Sequence, residues 1–225
     1  MNSVLTYIFG ENTEILHEVR HKDANTEYIC VTDNTNIRSN TWKVVVDKSI
    51  PYSNNRIKFA YVKLHPFNYC KGNKVAIIDG AVSPSRSLSS LFYSCKRDLL
   101  LKTHPSRHTY YDEAMAWVTL RGLSHECLLR YFVMCTCLGV TLDQGPIYET
   151  CCSVWSKSNT VIQFGNHVFQ TMLKLTDSQG NYFMSNQLVL SVLANTLFKN
   201  LTIGELNQNK WFTRYLHNST DKVDK

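Results

Sequence analysis

The chain lacks several features that would assign it to whole classes of protein. No apolar run approaches the roughly 18 residues of a membrane-spanning helix, and the first residues, MNSVLTYIFG, lack the basic head and apolar core of a secretory signal. The eight cysteines include no C-x-x-C pair, which disfavours a zinc site or a disulfide framework. No basic stretch stands out that would indicate nucleic-acid binding. We therefore expect a cytoplasmic protein with no transmembrane segment and no nucleic-acid partner.

The composition is that of a folded globular protein. Hydrophobic residues make up 44% of the 225 residues and charged residues 19%. We expect one domain over residues 1–216, followed by a polar and disordered tail at 217–225. The net charge of +6 favours an anionic partner, although it does not choose among such partners.

The order of apolar segments predicts an α/β fold. Short apolar strands alternate with helical or irregular crossovers, as a mostly parallel sheet flanked by helices requires. We predict strands at 3–9, 28–33, 41–47, 74–80 and 147–155, and helices at 12–21, 56–65, 85–100, 109–123, 124–138, 160–176 and 185–200.

Three residues that suit a ligand site follow predicted strands. Gly10, Asp33 and Asp79 each stand where a strand ends, and ligands of open α/β sheets gather at the carboxyl ends of the strands. The alternative is that both aspartates only cap turns, as aspartate does well.

The segment 104-HPSRHTYYDEA-114 carries candidates for phosphate binding. Arg107 offers a planar fork of donors, and His104 and His108 flank it before a predicted helix N-terminus. The alternative is a solvated loop with a capping carboxylate. Lys63 has two similar interpretations, as a phosphate ligand or as a stem that covers apolar surface.

An aromatic and polar group in 147–155 suits a sugar acceptor. Tyr148 and Trp155 offer apolar ring faces, and Glu149 is a candidate base for the acceptor hydroxyl. The alternative is a strand with its aromatic residues in the core and the glutamate at its edge.

Six short pieces in order resemble one known family. They are Y-I-F-G, Y-I-C-V-T-D, T-W-K-V-V, Y-V-K-L-H-P, I-I-D-G and H-P-S-R-H-T-Y-Y-D-E-A, spread over residues 7–114. This order is similar to a family of glycosyltransferase-like proteins of GT-A type, long catalogued as a domain of unknown function. The resemblance continues through 148-YET-150 and 186-NQ-187. It implies a single-domain, Rossmann-like GT-A fold.

The resemblance also implies roles for individual residues. The nucleoside would lie near Tyr7, Phe9 and Gly10, with Thr32 and Asp33 at the base or ribose. Asp79 falls at the D-x-D signature of such enzymes, where carboxylates hold Mn²⁺ or Mg²⁺.

Two positions of the chain depart from that family pattern. Ala81 stands where the second carboxylate of the signature is expected, so Asp79 would bind metal through water or orient a ribose hydroxyl instead. Asn186 stands at a position that is acidic in many such transferases; it cannot act as a base but can donate and accept hydrogen bonds, and Gln187 beside it is a candidate acceptor-binding residue.

These features predict two functions. The first is a hexosyltransferase of polysaccharide biosynthesis, which moves a hexose from a nucleotide sugar such as a UDP-sugar to a glycan or small acceptor. Asp79, Glu149 and Asn186 are then its candidate catalytic residues. The alternative is a non-catalytic module of the same fold that binds nucleotide sugar or glycan.

Overall fold

The computed structural model describes residues 1–10, 15–178 and 185–215. The chain divides into two compact units, Met1–Lys96 with Asn207–Lys225, and Arg97–Leu206. Strands and helices occur in both units, which confirms the predicted α/β class. The single-domain organisation stays a prediction, and the tail at 217–225 lies outside the described residues.

The first unit contains a parallel sheet and a small antiparallel ribbon. Its strands are β1 (Asn2–Ile8), β2 (Thr26–Thr32), β3 (Lys43–Val46), β4 (Lys74–Ile78), β5 (Val82–Pro84) and β9 (Phe212–Arg214). Its helices are α1 (Asn55–Leu64), a 3-10 turn at Pro66–Asn68, α2 (Ser89–Ser94) and α7 (Gln208–Trp211).

The parallel sheet of this unit has the order β3-β2-β1-β4. Strand β1 pairs with both β2 and β4, and its residues from Ser3 to Ile8 are buried. A strand buried on both faces explains why the sequence of β1 is an almost continuous apolar run. Because the strands are parallel, β1, β2 and β4 end at the same edge of the sheet.

The ribbon of this unit joins segments that are far apart in the sequence. Strand β5 pairs antiparallel with β9, so that Val82 lies opposite Arg214. Backbone hydrogen bonds extend the pairing from Tyr215 N–H to the Ala81 carbonyl and from Ser85 N–H to the Trp211 carbonyl. Residues that follow the second unit in the sequence therefore supply a strand of the first unit.

The second unit contains a mixed sheet and four helices among its described residues. Its elements are β6 (Leu99–Thr103), β7 (Tyr148–Ser156), β8 (Ile203–Glu205), α3 (Tyr110–Arg121), α4 (His125–Cys137), α5 (Asn159–Lys174) and α6 (Asn186–Asn195). Strand β6 is antiparallel to β7 and parallel to β8. The register between β6 and β7 shifts after Leu101. Leu101 pairs with Ser153, whereas the next residue, Lys102, pairs with Glu149.

Side-chain caps explain where the helices of the second unit begin. Thr109 and Asp112 form a reciprocal capping box at α3, and Ser124, Ser158 and Ser185 each accept a hydrogen bond from a backbone N–H in the first turn of the helix that follows. These caps confirm the predicted starts of α3 and α4.

Some predicted helices are wrong in whole or in part. Residues 15–19 of the predicted helix 12–21 have no regular secondary structure, and residues 12–14 lie outside the described part. Tertiary hydrogen bonds hold this segment instead, because Glu18 accepts from the backbone of Asn40 and Thr41, and the Trp42 indole donates to the His17 carbonyl.

The predicted helices 85–100 and 185–200 are both shorter than expected. In the first, only Ser89–Ser94 is helical, and Leu99–Thr103 forms β6 because it has strand partners on both sides. In the second, the helix ends at Asn195. The short strands β5, β8 and β9 have no counterpart in the prediction.

None of the eight cysteines, all of which lie in the described part, forms a disulfide. Six of them are buried, where a thiol behaves as a small apolar group. No helix among the described residues is long and apolar enough to cross a bilayer.

Candidate functional site

A cavity of about 630 Å³ opens in the first unit, at the ends of β1 and β2. Its walls combine polar and charged groups with one apolar side chain. The lining residues are Gly10, Asp33, Asn34, Thr35, Asn36, Asp47, Lys48, Ile50 and Lys58. Two of the residues predicted from the sequence, Gly10 and Asp33, therefore lie together in one cavity.

Gly10 shapes the loop after β1 at this cavity. Its φ of 95° is rarely adopted by other residues, and a Cβ there would lie 2.6 Å from Asn55 Nδ2. The Gly10 N–H donates to Asp33 Oδ1 at 3.1 Å. The glycine thus brings the ends of β1 and β2 together.

Asp33 is held as a carboxylate by two donors. Lys58 Nζ lies 2.6 Å from Asp33 Oδ2, and both side chains are mostly buried. Burial acts to raise the pKa of Asp33, but the hydrogen bonds from Lys58 and Gly10 outweigh it, so the pKa lies below its ordinary value. The cavity therefore presents a fixed ion pair.

A second cluster lies at the end of β4 in the same unit. Asp79 directly follows β4, as the sequence predicted. The Tyr7 hydroxyl donates to Asp79 Oδ1, and Lys63 Nζ lies 2.9 Å from the same oxygen. The side chain of Asp79 is 39% exposed, whereas Lys63 is buried, so the carboxylate keeps an accessible side for a ligand.

Helix α1 supplies the lysine of both clusters. Lys58 reaches Asp33 and Lys63 reaches Asp79. Between the lysines, the Phe59 ring packs against the rings of Tyr7 and Phe9, each with a centroid distance of 5.6 Å. One helix therefore neutralises both strand-end carboxylates.

The residues around Asp79 do not fit a divalent ion. No group of three or more histidine, cysteine, aspartate or glutamate side chains that could hold a metal occurs among the described residues. The Lys63 ammonium already lies against the carboxylate, and Ala81 offers no second one. A cation at Asp79 would share the carboxylate with the Lys63 ammonium, whose positive charge repels it.

Phe9 and Thr32 are placed in the core rather than at the cavity. Phe9 is buried against Phe59, and Thr32 is fully buried with its hydroxyl oxygen accepting from the Asn34 N–H at 3.0 Å. Neither lines the cavity in the part that the structure describes.

Glu113 is the centre of a polar cluster in the second unit. Its carboxylate is fully buried, and Arg107 Nη1 lies 2.5 Å from Oε2. Oε1 accepts from Trp117 Nε1 at 2.9 Å, from Ser185 Oγ at 3.0 Å and from Gln187 Nε2 at 2.9 Å. One buried charge thus joins the loop before α3 to the start of α6.

A smaller cavity of about 180 Å³ adjoins this cluster. It is lined by Arg107, Glu113, Ala116, Trp117, Leu120, Asn186 and Gln187. The structure therefore brings together three predicted residues, Arg107, Asn186 and Gln187, for which different roles are predicted from the sequence.

Glu149 forms another charged group in the same unit. Lys102 Nζ lies 2.9 Å from Glu149 Oε2, and His104 Nε2 lies 4.0 Å from Oε1. The His104 Nδ1 accepts from the backbone N–H groups of Ser106 and Arg107, so the neutral ring carries its proton on Nε2, towards Glu149. Burial, aided by the charge of Arg107, lowers the pKa of His104.

The remaining predicted residues do not join these groups. His108 is exposed, and its N–H donates to Asp112 Oδ2. Tyr148 is half-buried in β7. Trp155 is buried against Phe164, and its indole donates to Ser153 Oγ at 3.0 Å, so the acceptor role predicted for Trp155 finds no accessible ring face here.

Several residues of these clusters are absent from the sequence-based prediction. Lys58, Lys102 and Glu113 form ion pairs with the predicted residues Asp33, Glu149 and Arg107, and Trp117 donates a hydrogen bond to Glu113. A sequence signal exists for one of them, because the motif 104–114 that carries the predicted basic residues also contains Glu113. Lys58 and Lys102 stand in no motif that predicts their partners.

The fold and its larger cavity define the class of the protein as an α/β protein with a ligand-sized cavity at the carboxyl edge of a parallel sheet. No family model and no curated protein matches the chain. Its resemblance to glycosyltransferases of GT-A type therefore stays a prediction from the sequence.

Proposed function

We propose that the chain is a glycosyltransferase of GT-A type that moves a hexose from a nucleotide diphosphate sugar to a glycan or a small acceptor. The observation that supports this most is the cavity of about 630 Å³ at the ends of β1 and β2. Its size lies within the roughly 300–1,000 Å³ of small-molecule sites. Its position is where open α/β sheets hold nucleotides.

The chemistry of the cavity suits a nucleoside and its first phosphates. Asp33 is an ionised acceptor for ribose hydroxyls, and the amides of Asn34 and Asn36 match the polar edge of a base. Lys48 provides positive charge for phosphate oxygens, and Lys58 holds Asp33 in place through their ion pair. Gly10 keeps the loop after β1 free of a side chain at the cavity wall.

Asp79 is proposed to orient a hydroxyl of the donor rather than to bind a metal. Its accessible oxygen accepts such a hydrogen bond, while Tyr7 and Lys63 fix its position. In the transfer, the bond between the anomeric carbon and the phosphate oxygen breaks, and a bond to the acceptor oxygen forms. The acceptor proton passes to a base, for which Glu149 stays the candidate.

A second candidate function is binding without transfer. One observation favours it, because Lys102 Nζ already lies 2.9 Å from Glu149 Oε2, so an acceptor hydroxyl would have to compete with that ammonium for the carboxylate. On this alternative the chain would be a nucleotide-sugar or glycan-binding module of the same fold.

Calorimetric titration with UDP, UDP-glucose, GDP and GDP-mannose tests the proposed donor site. We expect one nucleotide series to bind, and Asp33→Asn or Lys58→Met to weaken it about 10- to 150-fold, as loss of a charged hydrogen bond does. Lys43→Met is the matched control, because Lys43 is exposed on β3 and does not line the cavity. Equal affinities in Lys58→Met and Lys43→Met would contradict the proposed site.

Release of the free nucleoside diphosphate from the bound nucleotide sugar separates the two functions. A transferase releases it faster when an acceptor is added. Binding without any release, over hours and with a panel of glycan acceptors, would favour the binding module.

A further inference from the structure

The smaller cavity beside Glu113 has the structure of a second binding site. Three of its lining side chains, Arg107, Trp117 and Gln187, donate to one buried carboxylate. Such shared bonding fixes the side chains before any ligand arrives, which reduces the ordering cost of binding. The cavity is therefore preorganised.

The charge of this cavity is balanced. Arg107 and Glu113 cancel each other, and the other lining residues in the described part of the chain are neutral. A charged ligand would lose hydration without a counter-charge. The cavity consequently favours a neutral ligand.

The unused polar atoms of the lining residues form a mixed set of donors and acceptors. Arg107 uses one guanidinium N–H on Glu113, and no second partner for it occurs among the described residues. Asn186 Oδ1 accepts from Thr150 Oγ1, which leaves its amide N–H groups as donors. Gln187 Nε2 donates to Glu113, which leaves its carbonyl oxygen as an acceptor. Hydroxyl groups, which both donate and accept, match this set.

The apolar part of the cavity consists of Ala116, Leu120 and one aromatic residue, Trp117. Trp117 is half-buried, and its indole is held by the bond from Nε1 to Glu113. The C–H groups on the face of a pyranose ring pack on an aromatic ring, whose face carries negative charge density. A tryptophan beside hydroxyl-matching groups is thus suited to a sugar.

We propose that this cavity binds a neutral pyranose residue of a glycan. Its use as an acceptor subsite rests on the proposed transferase function, whereas the binding itself does not. The second unit would then recognise carbohydrate without a nucleotide.

An NMR titration of the indole N–H signals tests this proposal on the full chain. The chain has four tryptophans, and Trp117→Phe assigns the signal of Trp117. The probes are the methyl glycosides of glucose, galactose, mannose and xylose. We expect at least one to shift the Trp117 signal saturably, with a Kd on the order of 1 mM, which is reasonable for a single sugar ring.

Two variants on α3 provide the matched control. Ala116→Phe places a ring in the cavity without removing any bond to Glu113, whereas Thr119→Phe places the same ring at an exposed position outside the lining. We expect Ala116→Phe to abolish the saturable shift and Thr119→Phe to keep it. Asn186→Ala should weaken binding about tenfold.

Three results would overturn the proposal: no saturable shift with any glycoside, a shift that persists in Ala116→Phe, or tighter binding of methyl glucuronide than of the neutral sugars. The outcome is independent of nucleotide titration. Glycoside binding without nucleotide binding would support this site and contradict the donor site, and nucleotide binding without glycoside binding would do the reverse.

Discussion

Replacement of Arg107 by alanine is expected to destabilise the second unit strongly, because it leaves the Glu113 charge buried without a cation. From the sequence, Arg107 is interpreted as a phosphate ligand, whose truncation would leave the fold intact. In the structure its guanidinium lies 2.5 Å from a carboxylate that is fully buried. The first consequence of the substitution is therefore structural.

The size of the loss in unfolding free energy depends on the hydrogen bonds that Glu113 keeps without Arg107. Breaking a fully buried ion pair costs about 3–5 kcal/mol, and losing one charged hydrogen bond costs about 1.5–3 kcal/mol. Three neutral donors remain on Oε1, and Arg107 is 29% exposed, so water replaces part of its role. We expect Arg107→Ala to lower the free energy of unfolding by about 2–3 kcal/mol.

A double-mutant cycle in urea distinguishes this cause from a simple loss of packing. In Glu113→Gln, the amide oxygen can replace Oε1, and the amide nitrogen then faces Arg107. We expect Arg107→Ala combined with Glu113→Gln to be more stable than the sum of the single losses, with a coupling of about 1–3 kcal/mol. Additive losses, or an Arg107→Ala chain within about 0.5 kcal/mol of the parent, would refute the reasoning.

Three further predictions follow from single residues. Burial lowers the pKa of His104 in the folded state below the unfolded value of 6.5. The free energy of unfolding therefore falls as the pH drops from 6.5 through the folded pKa. His104→Asn should show a smaller loss across that pH range in urea titrations. Asp33 also has a lowered pKa in the folded state, so its contribution to stability is present above pH 3.8 and is lost as the pH falls through the folded pKa. Asp33→Asn should therefore flatten the acid side of the plot of unfolding free energy against pH. An unchanged acid side would contradict the ion pair with Lys58. Gly10→Ala should lower the unfolding free energy by about 1–3 kcal/mol, and by more than Gly139→Ala, where φ is also positive but a Cβ meets nothing within 4 Å.

The parts of the fold that depend on local patterns could be predicted. Strands β1, β2 and β4 are apolar runs that end at glycine or aspartate, and α3 and α4 begin at serine or threonine caps. The position of Asp79 directly after β4 follows from the same pattern. Elements whose form depends on distant partners, such as β6, were not predictable from their own residues.

The site was predictable only to the level of the strand ends. Asp33 and Asp79 could be predicted because each follows a strand. The sequence contains no sign of their ion pairs with Lys58 and Lys63, because the partners are 25 residues (58 − 33) and 16 residues (79 − 63) apart. Likewise, nothing local joins Glu113 to Ser185 and Gln187. Such contacts are set by the tertiary fold.

The ribbon of β5 and β9 has a consequence for the order of events during synthesis. Between the two halves of the first unit the ribosome makes residues 97–206, about 110 residues, which takes roughly 5–20 s at common elongation rates. Strands β1 to β4 can pair during that interval, whereas β5 has to wait for Phe212–Arg214. The nascent chain therefore carries an open strand edge at Val82–Pro84, a segment where chaperones or stray strands compete with the native partner until translation has passed Tyr215.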